Sequence, residues 1–94
     1  MSRSYQKGRR TEYEAKTDLE STGWRVHRVA GSKSEVDLIA FKGDEVLVVQ
    51  VKRNKPLTAS VREALRALPW GEHIAVEYWN RTDGSIGFEK TRIR

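Results

Sequence analysis

"VDLIAFKGDEVLVVQVKRNK", residues 36–55, decides the fold. Two apolar runs, "VDLIAF" (36–41) and "VLVVQVK" (46–52), flank "KGDE" (42–45), a short turn signal. That pattern predicts a β-hairpin. The second run is almost unbroken in apolar character, which predicts a strand buried on both faces. Three polar residues interrupt the pattern: Asp37, Gln50 and Lys52. Alternation puts Gln50 and Lys52 on one face. Asp37, near the start of the partner strand, falls opposite the end of theirs.

Working outward, "WRVHRVA" (24–30) predicts another strand and "GSKSE" (31–35) a polar loop. A helix is expected from about Gly8 or Thr11 to Ser21, with Gly23 as its C-cap. Its inner face is Glu12, Ala15, Lys16 and Leu19 by i, i+3, i+4, i+7 spacing. Glu14, Asp18 and Glu20 fall on its solvated side. After Pro56, the spacing of Leu57, Val61, Ala64, Leu65 and Leu68 predicts a helix that stops before Pro69. "HIAVEYW" (73–79) and "IGFEKTRI" (86–93) predict two more strands around a turn at 82–85. Helix, three strands, helix, two strands is the order of an α/β fold, a mixed five-stranded sheet flanked by helices.

The chain has 94 residues, a length that predicts one domain, 1–94, with a thin core. It has no cysteine, which fits a reducing cytoplasmic interior and excludes a disulfide framework and thiolate metal sites. No stretch is long and apolar enough to span a membrane, and the basic N-terminus lacks the apolar segment of a secretory signal. Eighteen Lys and Arg against 13 acids give a net charge of +5, concentrated at 3–10, 52–55 and 90–94. That excess favours a polyanionic partner, nucleic acid first.

With a short hairpin between them, Asp37, Gln50 and Lys52 can meet, and Glu12 can reach the same point from the first helix. Two carboxylates, an amide and an ammonium suit Mg²⁺, with Mn²⁺ as its substitute. The candidate ligands are Glu12, Asp37, the Gln50 side chain and the Val51 backbone carbonyl. Lys52 is placed to hold water or to neutralise charge building on phosphorus. The reaction class is metal-assisted phosphodiester hydrolysis. Taken one at a time, these residues are ordinary strand-end ion pairs; the joint spacing D-x12-Q-x-K carries the argument.

"GRRTEYE", "RVAGSKSEVDLIA" and "VLVVQVK" together resemble the archaeal-type Holliday junction resolvases of the PD-(D/E)XK, restriction-endonuclease-like superfamily. The resemblance spans residues 7–55 and weakens after them. It places the family's helix glutamate on Glu12, its strand aspartate on Asp37 and its lysine on Lys52. Its second carboxylate falls on Gln50, where an amide stands instead. Its arginine before the glycine-serine loop falls on Arg28 and the loop serine on Ser32. The superfamily's proline before the aspartate is replaced by Val36, and an arginine common after the helix glutamate by Tyr13.

The resemblance implies a homodimeric, metal-dependent, structure-selective endonuclease that resolves four-way junctions in DNA recombination and repair. Lys7, Arg9, Arg10, Arg28, Ser32, Lys33, Arg53 and Lys55 are the expected DNA contacts, mainly to phosphate. Leu65, Leu68, Trp70 and Trp79 are candidate interface residues, with the monomer core as the alternative. His27 and His73 have no metal-like spacing and are expected to be structural. Two alternatives stay open: a related nuclease acting on other DNA structures, and a DNA-binding module disabled by Gln50.

Overall fold

The computed structural model describes residues 3–29 and 35–94, with residues 3–7 described as helix backbone only. Of the expected loop at 31–35, residues 31–34 lie outside them, Ser32 and Lys33 included, and so does the Lys7 side chain. The elements are α1 (Arg3–Ser21), β1 (Arg25–Arg28), β2 (Leu38–Lys42), β3 (Glu45–Arg53), α2 (Ala59–Arg66), β4 (Ile74–Arg81) and β5 (Glu89–Arg92). They form one sheet in the order β1-β2-β3-β4-β5. β3 and β4 run parallel, joined through α2, and every other neighbouring pair is antiparallel. The expected mixed five-stranded α/β architecture is therefore present.

The hairpin forms where the sequence places it. Lys42 pairs with Glu45 around Gly43 and Asp44. Gly43 has φ 58 and Asp44 does not share a positive φ, the pattern of a tight turn with glycine first. β3 is buried on both faces, as its apolar run predicts. Leu47, Val49 and Val51 join Ala15, Leu19, Leu38, Ala40 and Trp79 under α1. Val48 points the other way, packing with Leu65, Leu68, Val76, Tyr78 and Ile93.

α1 begins earlier than expected, at Arg3, with Gly8 inside it. Glycine weakens a helix by only about 1 kcal/mol relative to alanine, so it does not mark a boundary by itself. The helix ends where predicted. Gly23, with φ +95, donates to the Glu20 carbonyl, and Trp24 donates to that of Leu19. These paired bonds close a Schellman cap. The buried stripe of α1 is Thr11, Ala15 and Leu19; Glu12 and Lys16 flank it, half-buried. Glu14 and Asp18 are not freely solvated but pair with Arg81 and Lys90.

α2 is shorter than the predicted span because Thr58 caps it, accepting from the Val61 N–H at 3.3 Å. Beyond its end, the Arg94 guanidinium donates to the carbonyls of Arg66, Leu68 and Trp70. Leu65, Leu68 and Trp79 are buried within the chain itself, and Trp70 is half-buried against the second cluster. Leu65, Leu68 and Trp79 thus follow the alternative reading, the monomer core, with Trp70 at its edge. His27 and His73 are both exposed, and His27 meets Phe41 edge-on. No helix among the described residues is long and apolar enough to cross a membrane.

Candidate active site

A cavity of about 350 Å³ opens where the N-terminal half of α1 crosses the ends of β2 and β3. Gly8, Thr11 and Glu12 line it from α1, Asp37 from just before β2, and Val51 to Lys55 from the end of β3 onward. A Cβ at Gly8 would meet nothing within 4 Å, so the space beside that wall is open.

Asp37 is fixed at three points. Its N–H donates to the Val49 carbonyl at 2.8 Å, and its carbonyl accepts from Val29 at 2.9 Å. Its Oδ2 accepts from the Val51 N–H at 2.7 Å. The hairpin register produces this: Leu38 pairs with Val49, which sets Asp37 beside the next outward-facing N–H of β3. Burial pushes the Asp37 carboxyl above the ordinary carboxylate range, and the Glu12 charge pushes it the same way. The Val51 N–H, Lys52 and Arg28 pull in the opposite direction without cancelling the rise. Glu12, Lys52 and Arg28 thus all act on one carboxylate.

Glu12 is held by Arg28. Nε and Nη2 of Arg28 both donate to Glu12 Oε1, at 3.3 and 3.1 Å. Nη1 donates to the Tyr13 hydroxyl at 3.2 Å, and the guanidinium lies 4.6 Å over the Tyr13 ring. Arg9 approaches the same ring at 5.7 Å. The two arginines lower the Tyr13 phenol below its ordinary range.

Lys52 is half-buried and lines the cavity. Gln50, two residues earlier on the same strand face, is half-buried opposite Tyr78 of β4 and does not line it. Of the four side chains expected to converge, Glu12, Asp37 and Lys52 share the cavity and Gln50 stands beside it. The Val51 backbone is present, with its N–H on Asp37.

The expected DNA contacts divide. Lys55 is exposed at the cavity, and Arg9 and Arg10 are exposed on α1. Arg28 is engaged by Glu12. Arg53 is engaged too: its guanidinium pairs with Asp83 at 2.8 Å and donates to Thr11 Oγ1 at 3.2 Å. Asn54, at φ 56, exchanges two hydrogen bonds with Asp83. Lys55 donates its N–H to Asn80 Oδ1, and its carbonyl accepts from the Tyr78 hydroxyl. These bonds lock the wall after β3 to α1 and to the turn before β5.

Sequence reasoning missed Thr11, Asn54, Asn80 and Asp83. Thr11 had a signal, four residues before Ala15 on the buried stripe. The other three had none, because their bonds join positions about 25 to 30 residues apart.

The donor set can be tested for a divalent cation. Among the described residues no group of three or more His, Cys, Asp and Glu side chains gathers to hold a metal. Two carboxylates do face one cavity, and Mg²⁺ commonly takes one or two, filling the rest with water and substrate phosphate. Asp37 Oδ1 and Glu12 Oε2 carry no hydrogen bond among the described residues. The residues present therefore fit a hard divalent cation of that kind.

Comparison with known proteins identifies the family and the fold. The family model "Archaeal holliday junction resolvase (hjc)" matches residues 3–69. A UPF0102 protein of Chelativorans sp. (strain BNC1) is 40% identical over 65 residues, covering 67% of this chain and 52% of that protein. The chain thus spans about half the length of that curated relative. The fold matches the 1.6 Å structure of Archaeoglobus fulgidus Hjc, a Holliday junction resolvase from an archaeal hyperthermophile, with a TM-score of 0.73. That match covers 93% of this chain and 73% of the other at 24% identity, and it speaks to the fold alone. From the family match across α1, the hairpin and α2, the chain belongs to the archaeal Holliday junction resolvase family.

Proposed function

We propose that the chain is a divalent-metal-dependent endonuclease that resolves four-way DNA junctions by paired phosphodiester cuts. Residues 1–94 act in it as one nuclease domain, paired as a homodimer inside the cell. The observation that carries the reading is the cavity itself: Asp37 and Glu12 face it together, with Lys52 at their side. A four-way junction has near two-fold symmetry, and a symmetric dimer presents two sites at a fixed separation.

Asp37 and Glu12 would hold Mg²⁺ or Mn²⁺, joined by the Val51 carbonyl. In a strand that carbonyl leaves the chain on the same side as the N–H that Asp37 receives. The cation, when bound, supplies a Lewis acid for the phosphate and lowers the pKa of coordinated water. Lys52 holds the attacking water or neutralises charge on the phosphate oxygens. The Val51 N–H keeps the Asp37 carboxylate aimed into the cavity. Lys55, Arg9 and Arg10 hold flanking phosphates. Gln50 lowers the negative charge near the site by one relative to an acid, so Gln50→Glu should reduce the Mg²⁺ needed for half-maximal cleavage. An unchanged requirement would show that position 50, beside the cavity, does not act on the bound cation.

The test is cleavage of end-labelled four-way junction beside linear duplex of the same sequence, with Mg²⁺, Mn²⁺ or EDTA. Paired, metal-dependent nicks in the junction alone are expected. Cutting of both substrates would keep the nuclease and overturn the junction preference. Tight binding without any cutting would favour a DNA-binding module in which Gln50 disables the site.

A further inference from the structure

Tyr13 stands where the resemblance leads one to expect an arginine, and the structure gives it a specific neighbour. Arg28 is gripped by two consecutive residues of α1. Glu12 Oε1 accepts two of its N–H bonds and the Tyr13 hydroxyl a third. The Tyr13 ring lies 4.6 Å beneath the guanidinium carbon. Arg28 and Glu12 keep 29% and 23% side-chain exposure, so the pair sits within reach of an incoming strand.

Asp37 and Glu12 are the two carboxylates lining the cavity; Lys52, Arg53 and Lys55 line it as cations, with Arg53 held by Asp83, and Arg28 reaches Glu12 from β1. While Arg28 stays on Glu12, one of only two carboxylates there is already neutralised. A DNA phosphate offers a guanidinium the same two-oxygen fork as a carboxylate. The ring beneath can hold the cation in either arrangement, because attraction to its face does not depend on which oxygen the fork meets.

We propose that Arg28 is a positioning residue with two alternative partners, and that Tyr13 is the cradle on which it changes between them. In the free protein it holds Glu12. On substrate, a DNA phosphate takes the guanidinium while Tyr13 keeps its face, and Glu12 is released toward Asp37. The site completes its negative charge only when a phosphate is in place. Substrate and divalent cation therefore strengthen each other's binding, since coupling between two sites is reciprocal. The inference rests on the DNA-cleaving function proposed above and adds to it how the site senses its substrate.

The first test is metal-free: the side-chain Nε–H resonance of Arg28, assigned with Arg28→Lys, followed in EDTA as four-way junction is added. In the free protein, Glu12→Gln should displace this resonance. Adding junction to the wild type should displace it as well, with a matching change in the Tyr13 ring signals. A junction complex in which other resonances move while the Arg28 signal stays put overturns the exchange alone. Failure to bind any DNA overturns the proposed function and the exchange together.

The second test is Mn²⁺ binding without DNA. Arg28→Gln should tighten it by about tenfold, as expected for removing one positive charge a few ångströms away. Tyr13→Phe, which removes one acceptor but keeps the ring, should give a smaller gain. An Arg28→Gln protein that binds Mn²⁺ no better, or worse, shows that the arginine braces Glu12 as a ligand and overturns the exchange.

Discussion

Asp37 shows how one residue is tuned by its place. Burial and the Glu12 charge make its folded carboxyl hold a proton more tightly than the unfolded chain does. A group raised in this way contributes stability below its unfolded value, and loses it as pH rises through the folded value. At neutral pH the ionised side chain is therefore a net cost to folding. Asp37→Asn should raise Tm at pH 7 and abolish cleavage, while the Tm difference shrinks as pH falls below the ordinary carboxylate range. The amide oxygen can still accept from Val51. Thermal melts at both pH values check this, and a lower Tm at pH 7 would show that the carboxylate is structural. Glu12→Gln removes one of the causes and should move the Asp37 carboxyl down, as read by NMR titration without metal.

At the scale of elements, β3 carries the fold and α2 closes it. β3 buries alternate residues in two separate clusters, so it is the strand on which both layers depend. α2 is eight residues long and buries only Leu65. Leu65→Ala should therefore cost about 2–5 kcal/mol. For a domain of this size that lowers Tm by roughly 10 °C or more, measurable by calorimetry. A loss of only a degree or two would mean that the sheet face collapses onto the gap. The hairpin, the Gly23 cap and the stop before Pro69 were legible because each is local chemistry. The start of α1 was not, since a single glycine weakens a helix without ending it.

At the scale of the whole molecule, the basic excess is less available than the composition suggests. Arg28, Arg53, Arg81, Lys90 and Arg92 are paired with acids. Lys55, Arg9 and Arg10 remain exposed around α1 and the cavity. Junction affinity should still fall steeply and linearly on a log–log plot against salt, with a slope of about −0.9 per phosphate contact. Lys55→Ala should reduce that slope by about one contact, whereas a slope unchanged by the substitution would take Lys55 off the DNA. Binding that ignores salt would contradict phosphate contact altogether.

The sequence by itself determined the α/β order, the hairpin that brings Asp37 toward Lys52, and the two-sided burial of β3. These follow from periodicity and turn chemistry, which act over a few neighbouring residues. It also placed Glu12 toward the same point, through helical spacing and resemblance. Only the tertiary structure decided which polar groups meet. Register put the Val51 N–H on Asp37 and left Gln50 beside the cavity. Helix packing set Arg28 on Glu12 and Tyr13, and the turn before β5 drew Arg53 and Asn54 onto Asp83. Such contacts join residues far apart in the chain, and no local pattern encodes them; the packing of α1 against the sheet does.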